Sequence, residues 1–174
     1  MKKFLYPVLF IFMLGTSALT WITLQEWKVK EDAYEVNLRC SSFNGNLKGL
    51  KASLFFDEAN LASSKFVATV DATTGNTGNG LRNKHMAQAL EADKYPTIKY
   101  ESSSITKKEN GYETTGKLSI KDVTKVIKFP FTFEKTSTGG IFKGNFNVVT
   151  KEYNISKAGS PTDVDIELII PVIK

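Results

Sequence analysis

Cysteine, histidine and proline are scarce in this 174-residue chain, which has one cysteine (Cys40), one histidine (His85) and five prolines. A single cysteine excludes an intramolecular disulfide framework, and a single histidine excludes a multi-histidine metal centre. An excess of one charge is lacking as well. The 23 Lys and Arg against 18 Asp and Glu give a formal +5, and setting aside Lys2 and Lys3 leaves +3. So small and scattered a surplus does not describe a nucleic-acid-binding surface. No Gly-Lys-Ser or Gly-Lys-Thr follows the glycines at 75, 78 and 80, which removes a phosphate loop. No serine sits in a nucleophile-elbow motif, and Leu38-Arg39-Cys40-Ser41-Ser42 matches no cysteine-hydrolase signature. The carboxylates at Asp57/Glu58, Glu91/Asp93 and Asp163/Asp165 lack the spacing of a calcium loop. The reading assigns no catalytic residue, no metal and no cofactor.

What the chain has in quantity is aromatic side chain: 12 Phe, 6 Tyr and 2 Trp, enough to fill a substantial apolar interior. Its start is equally distinctive. Lys2 and Lys3 precede the apolar run Phe4–Leu14, which ends in the small residues Gly15, Thr16, Ser17 and Ala18. A basic start, an apolar centre and small residues after it form an export signal. Apolar character continues to Leu24, just long enough to span a bilayer. Residues 1–24 are therefore read as a signal peptide or a membrane anchor helix, and residues 25–174 as one domain. The protein is expected to be exported, periplasmic or extracellular, with membrane contact through residues 4–24 if that segment is retained.

From Glu26 onward the dominant period is two. Tyr34, Val36 and Leu38 alternate with Glu35, Asn37 and Arg39, Phe66, Ala68 and Val70 with Val67, Thr69 and Asp71, and the period continues at Ile127, Phe129, Phe131 and Phe133. The same alternation returns at Phe142, Phe146 and Val148, and at Val164 through Ile170. Each run fits a strand with one apolar face and one face in water. Turn signals separate them, among them Asn44-Gly45-Asn46, Glu109-Asn110-Gly111 and Thr138-Gly139-Gly140. One segment breaks the period: Leu81–Ala92 is rich in helix formers and ends before Tyr95-Pro96. Thr73–Gly80 ahead of it reads as a long flexible connection. The plan is all-β, eight or nine short antiparallel strands with one inserted helix, closing as a sandwich or a barrel. Cys40 continues the inward register of Val36 and Leu38 and is expected to be a small core residue. The inward small residues Ala52, Ala68, Gly116 and Gly144 suggest local widening. An eight-stranded barrel has room for its own side chains or for one small ligand, so both a filled core and an apolar cavity stay open.

At the helix and its flanks the residues become more specific. Arg82-Asn83-Lys84-His85-Met86, Tyr95-Pro96-Thr97-Ile98-Lys99-Tyr100-Glu101-Ser102 and Gly116-Lys117-Leu118-Ser119-Ile120-Lys121-Asp122-Val123-Thr124-Lys125 occur in that order. They resemble the YceI-like family of bacterial periplasmic proteins, whose pattern reads Arg-Asp-x-His-Leu, then Tyr-Pro-x-Ile-x-Phe-x-Ser, then Gly-x-Leu-Thr-Ile-x-Gly-Val-Thr-Lys. The resemblance extends from about Trp27 to Ile170 and implies a lipocalin-like antiparallel β-barrel of about eight strands with one helix. It further implies an exported carrier or store for a polyisoprenoid or other lipid, in some members linked to stress. The alternative expectation is a filled, ligand-free barrel acting as a surface interaction or stress protein. A lipid-directed enzyme would need a reactive partner for His85.

Under the resemblance the tail-lining candidates are Phe66, Tyr100, Phe129, Phe131, Phe142 and Phe146. Arg82 and His85 are candidates for organising the loop by the helix or for meeting a ligand head group. Two departures stand out. The family's Asp after the arginine is Asn83 here, which removes a partner for Arg82 or His85. Where the family shows Arg-Ser-Asp-Phe-Gly-Ile, this chain has Thr150-Lys151-Glu152-Tyr153-Asn154-Ile155, and Lys151 replaces a bidentate donor by a point charge.

Overall fold

A computed structural model describes residues 25–174. The apolar segment read as a signal or anchor lies outside the described residues. The strands are β1 (Glu26–Val29), β2 (Glu35–Arg39), β3 (Asn44–Phe55), β4 (Lys65–Asn76), β5 (Thr97–Lys108), β6 (Gly111–Ile120), β7 (Val123–Lys135), β8 (Gly139–Val149) and β9 (Asp163–Ile173), with helix α1 (Gly80–Leu90) between β4 and β5. Each strand from β2 to β8 pairs antiparallel with its successor, and β9 pairs back to β2. The sheet is thus a closed up-and-down barrel of eight staves. Strand β1 does not add a ninth stave. It bridges β3 and β9 beyond the end of β2, so β1 and β2 share one stave interrupted by residues 30–34. Of the two architectures left open by the period, the barrel is the one formed.

Closure needs irregularities at defined places. On β3 the register slips between Lys48 and Lys51 opposite β4, where Gly49 has φ +70 and a Cβ would lie 2.9 Å from the Asp71 side chain. The slip frees the Leu50 N–H, which donates to the Tyr34 hydroxyl at 3.1 Å. On β5 a second slip lies between Ser102 and Ser104, and the buried Ser102 hydroxyl accepts from the Phe66 N–H at 2.8 Å. Such bulges bend a strand and let a sheet curl on itself.

Two local expectations are corrected. The segment from Thr73 is no flexible connection as far as Asn76, because β4 continues to that residue and pairs Asn76 with Asn46. Beyond it, the Thr77 N–H and hydroxyl both donate to Asn83 Oδ1 at 2.8 Å. Cys40 is not a core residue. Strand β2 ends at Arg39, and the Cys40 N–H donates to the Phe43 carbonyl at 3.0 Å, turning the chain toward β3. Its thiol is half-buried beside the Ser42 hydroxyl at 3.4 Å.

The helix starts at Asn79, whose side chain accepts from the Arg82 N–H at 3.0 Å, and stops where Glu91 turns left-handed with φ 49. None of its residues is fully buried. It lies across one end of the barrel, with Met86 against Gly75, where a Cβ would collide with the methionine tip.

Candidate ligand-binding site

The period-two faces put their apolar side chains into one interior, but that interior is not uniform from end to end. At the pole where β1 begins and β3 ends, it is packed solid. Phe56 is the hub: its ring lies 4.9 Å from Tyr112, 5.3 Å from Phe133, 5.4 Å from Phe142, 5.7 Å from Phe131 and 6.0 Å from Phe66. Four of these contacts are edge-on, the geometry the ring quadrupole favours. Phe56 lies just past β3, held there by its N–H donating to the Gln25 carbonyl and by Trp27 Nε1 donating to the Phe56 carbonyl at 2.9 Å. Trp27 in turn packs on Phe133 at 4.9 Å.

Toward the other pole the strands enclose a cavity of about 940 Å³. Its walls are mainly aliphatic and aromatic side chains from β2 through β9, among them Leu38, Leu47, Ala68, Ile98, Leu118 and Ile166. Its rim is formed by α1, by the β2–β3 turn at Ser42 and Phe43, and by residues 157–161 before β9. Among the described residues bordering it there is no carboxylate, whereas Arg82, His85 and Lys157 lie at the rim.

All six aromatic candidates border this cavity, but at two levels. Phe66, Phe131 and Phe142 are buried and form its floor, directly above Phe56. Tyr100, Phe129 and Phe146 stand higher as a wall, with Phe129 5.3 Å from Tyr100 and 4.8 Å from Phe146. The Tyr100 hydroxyl is paired with the fully buried Thr114 hydroxyl at 2.7 Å, and burial pushes the phenol up from its ordinary value. Gly116 therefore does not widen the barrel. A Cβ there would sit 2.6 Å from the Tyr100 hydroxyl, so the glycine gives its space to tyrosine. Ala52, Ala68 and Gly144 do border the cavity.

Arg82 and His85, one helical turn apart on α1, are exposed at the rim and share one side of the helix. Among the described residues neither side chain has a hydrogen-bond or ion-pair partner. Asn83 does organise the loop, with its two acceptances from Thr77 and a donation from Nδ2 to Asn76 Oδ1 at 3.3 Å. The residue that departs from the family pattern is the one that pins the helix. Lys151 and Glu152 lie in the 3-10 turn Thr150–Tyr153, where Thr150 and Tyr153 are buried. Glu152 there pairs with Lys125 at 3.2 Å. The aliphatic walls and the 157–161 rim were not singled out in the sequence. The walls carried the same alternation as the aromatics, whereas the rim residues have no periodic signal.

Comparison with known proteins places this geometry. The YceI-like domain family matches residues 27–172. UPF0312 proteins of Yersinia enterocolitica and Yersinia pestis are 28% identical over 159 residues, covering 84% of this chain and 78% of theirs. The crystal structure of Burkholderia cenocepacia BcnA superposes with a TM-score of 0.77 at 24% identity, covering 83% of this chain and 99% of that one. The Campylobacter jejuni YCEI protein gives 0.68 at 23% identity over 78% of this chain and 87% of its own. A polyisoprenoid binding domain from Saccharophagus degradans gives 0.62 at 14% identity over 87% and 99%. With a closed eight-stave barrel, a helix across one pole and a family match over nearly all described residues, this chain belongs to the YceI-like domain family.

Proposed function

We propose that this chain is an exported binding protein that holds the tail of an amphiphilic isoprenoid or similar lipid inside the barrel, as a carrier or store. The observation that carries the reading is the 940 Å³ cavity, apolar in its walls, closed below by aromatic rings and rimmed by Arg82, His85 and Lys157 without a carboxylate. Each methylene moved from water into such a space contributes about 0.8 kcal/mol. A tail of about twenty carbons then outweighs even the upper end of an association cost of roughly 4–15 kcal/mol. The tail needs no dedicated polar group, and Arg82 and Lys157 at the rim suit a polar or anionic head. The neighbouring Saccharophagus domain, described as polyisoprenoid binding, supports the same ligand class. A filled, ligand-free barrel describes the lower half of the interior but not the upper. His85, without a side-chain partner, is a weak start for catalysis. Export rests on the basic-apolar-small pattern of residues 2–18.

The test is native mass spectrometry, with organic extraction, of the protein purified from its own cells without detergent. A discrete added mass that extracts as an isoprenoid is the expected result. A bare polypeptide mass, together with no binding of added isoprenoids and no rise in Tm, would overturn the reading.

A further inference from the structure

We infer that the ring layer Phe66–Phe131–Phe142 is a stop that sets the length of tail the barrel accepts; the inference rests on the lipid-binding reading above. The three rings come from β4, β7 and β8 and meet at 5.4, 5.5 and 6.2 Å between centroids, each at most 8% exposed. Phe56 backs all three from below, so no single rotamer change clears a path. The layer beneath is latched by polar contacts as well. Tyr112 stacks on Phe131 at 5.3 Å, donates its hydroxyl to Glu58 at 2.7 Å and accepts from Lys107 at 3.1 Å. A tail entering at the α1 pole therefore ends at the floor and does not run through to the far pole.

The space above the floor fixes the limit. At the roughly 30 Å³ that a water-sized heavy atom occupies in a liquid, 940 Å³, mouth included, takes at most about 30 carbons. That is about six five-carbon isoprene units, with the head group left at the rim. Longer tails must leave the excess in water, where it adds nothing to affinity.

The experiment is a competition assay with a fluorescent prenol as probe, displaced by unlabelled all-trans prenols of increasing length delivered from cyclodextrin. Affinity is expected to rise on the order of tenfold or more per added unit and to level off at about six units. Phe131→Ala removes six ring carbons and moves the break about one unit longer. Phe131→Leu keeps the layer filled and guards against a misfolded alanine variant; it shifts the break by less than a unit. Affinity that keeps rising beyond about eight units, or a break that Phe131→Ala leaves in place in a folded protein, would overturn the stop while leaving lipid binding intact. Failure to bind prenols of any length would overturn both.

Discussion

The two halves of the barrel interior are built from the same strands with the same alternation, yet one is solid and the other is open. Along β7, Phe129 stands in the cavity wall and Phe131 in its floor, while Phe133 lies among the rings of the plug. The difference is made at the poles. Trp27, on the short first strand, and Phe56, just past β3, push inward at the lower end and give the rings from β4, β7 and β8 a common partner. At the upper end the corresponding elements are α1, with no fully buried residue, and residues 157–161, which form a rim. The side chains that enter from the ends thus decide at which level the inward rings of the staves find partners and close the interior.

The strongest test of that division compares two Phe→Ala changes. Phe56→Ala deletes the hub of the plug and should cost about 3–5 kcal/mol, lowering Tm by roughly 10 °C or more. Phe146→Ala removes a half-buried ring that borders open space, and should cost less than about 2 kcal/mol. Urea melts of both variants read the contrast directly. Equal losses would mean that the upper aromatic wall is as tightly packed as the plug.

How far the division was visible in advance follows from the same residues. Period-two alternation marks which face of each strand turns inward, so the barrel staves and all six aromatic cavity residues were legible. It carries no information on which rings from different strands meet, so floor and wall looked alike. Trp27 and Phe56 lie at or beyond the ends of long alternating runs and gave no sign of being the plug. The Thr- and Asn-rich end of β4 read as loop because its polar residues mimic a turn, whereas pairing with β3 holds it extended. The motif marks Arg82 and His85, but in the sequence Asn83 shows only as a missing carboxylate. An amide accepts the two Thr77 hydrogen bonds as well as a carboxylate does, and sequence alone cannot show where it points.

A change at Asn83 sharpens the comparison from the side of the mouth. Asn83→Ala leaves the Thr77 N–H and hydroxyl without their acceptor and should cost about 1–2 kcal/mol. The loss should be local: faster hydrogen exchange of the α1 amides, with a much smaller fall in Tm than Phe56→Ala causes. Asn83→Asp keeps both acceptances but faces Asn76 Oδ1 without a donor, so it should fall between wild type and alanine. Unchanged α1 exchange in Asn83→Ala would assign the hold on the helix to Met86 over Gly75 instead.

The smallest effect is expected on the outer face, which distinguishes neither half. Glu101 lies between Lys65 at 2.9 Å and Lys99 at 3.0 Å, and these cations, Lys65 first, hold its carboxyl down to about 2 from the usual 4.5. A carboxylate whose pKa is depressed by folding stabilises fully above the unfolded value. That contribution is lost as the pH falls from about 4.5 through about 2. The group is open to water, so the contribution is small and falls with added salt. Glu101→Gln should therefore flatten slightly the acid limb of the stability curve at low ionic strength and leave it unchanged in high salt. Urea melts across that pH window, at both salt levels, measure it. An identical acid limb in wild type and variant would show that the ion pairs around Glu101 contribute nothing to the fold, leaving its stability to the plug and the staves.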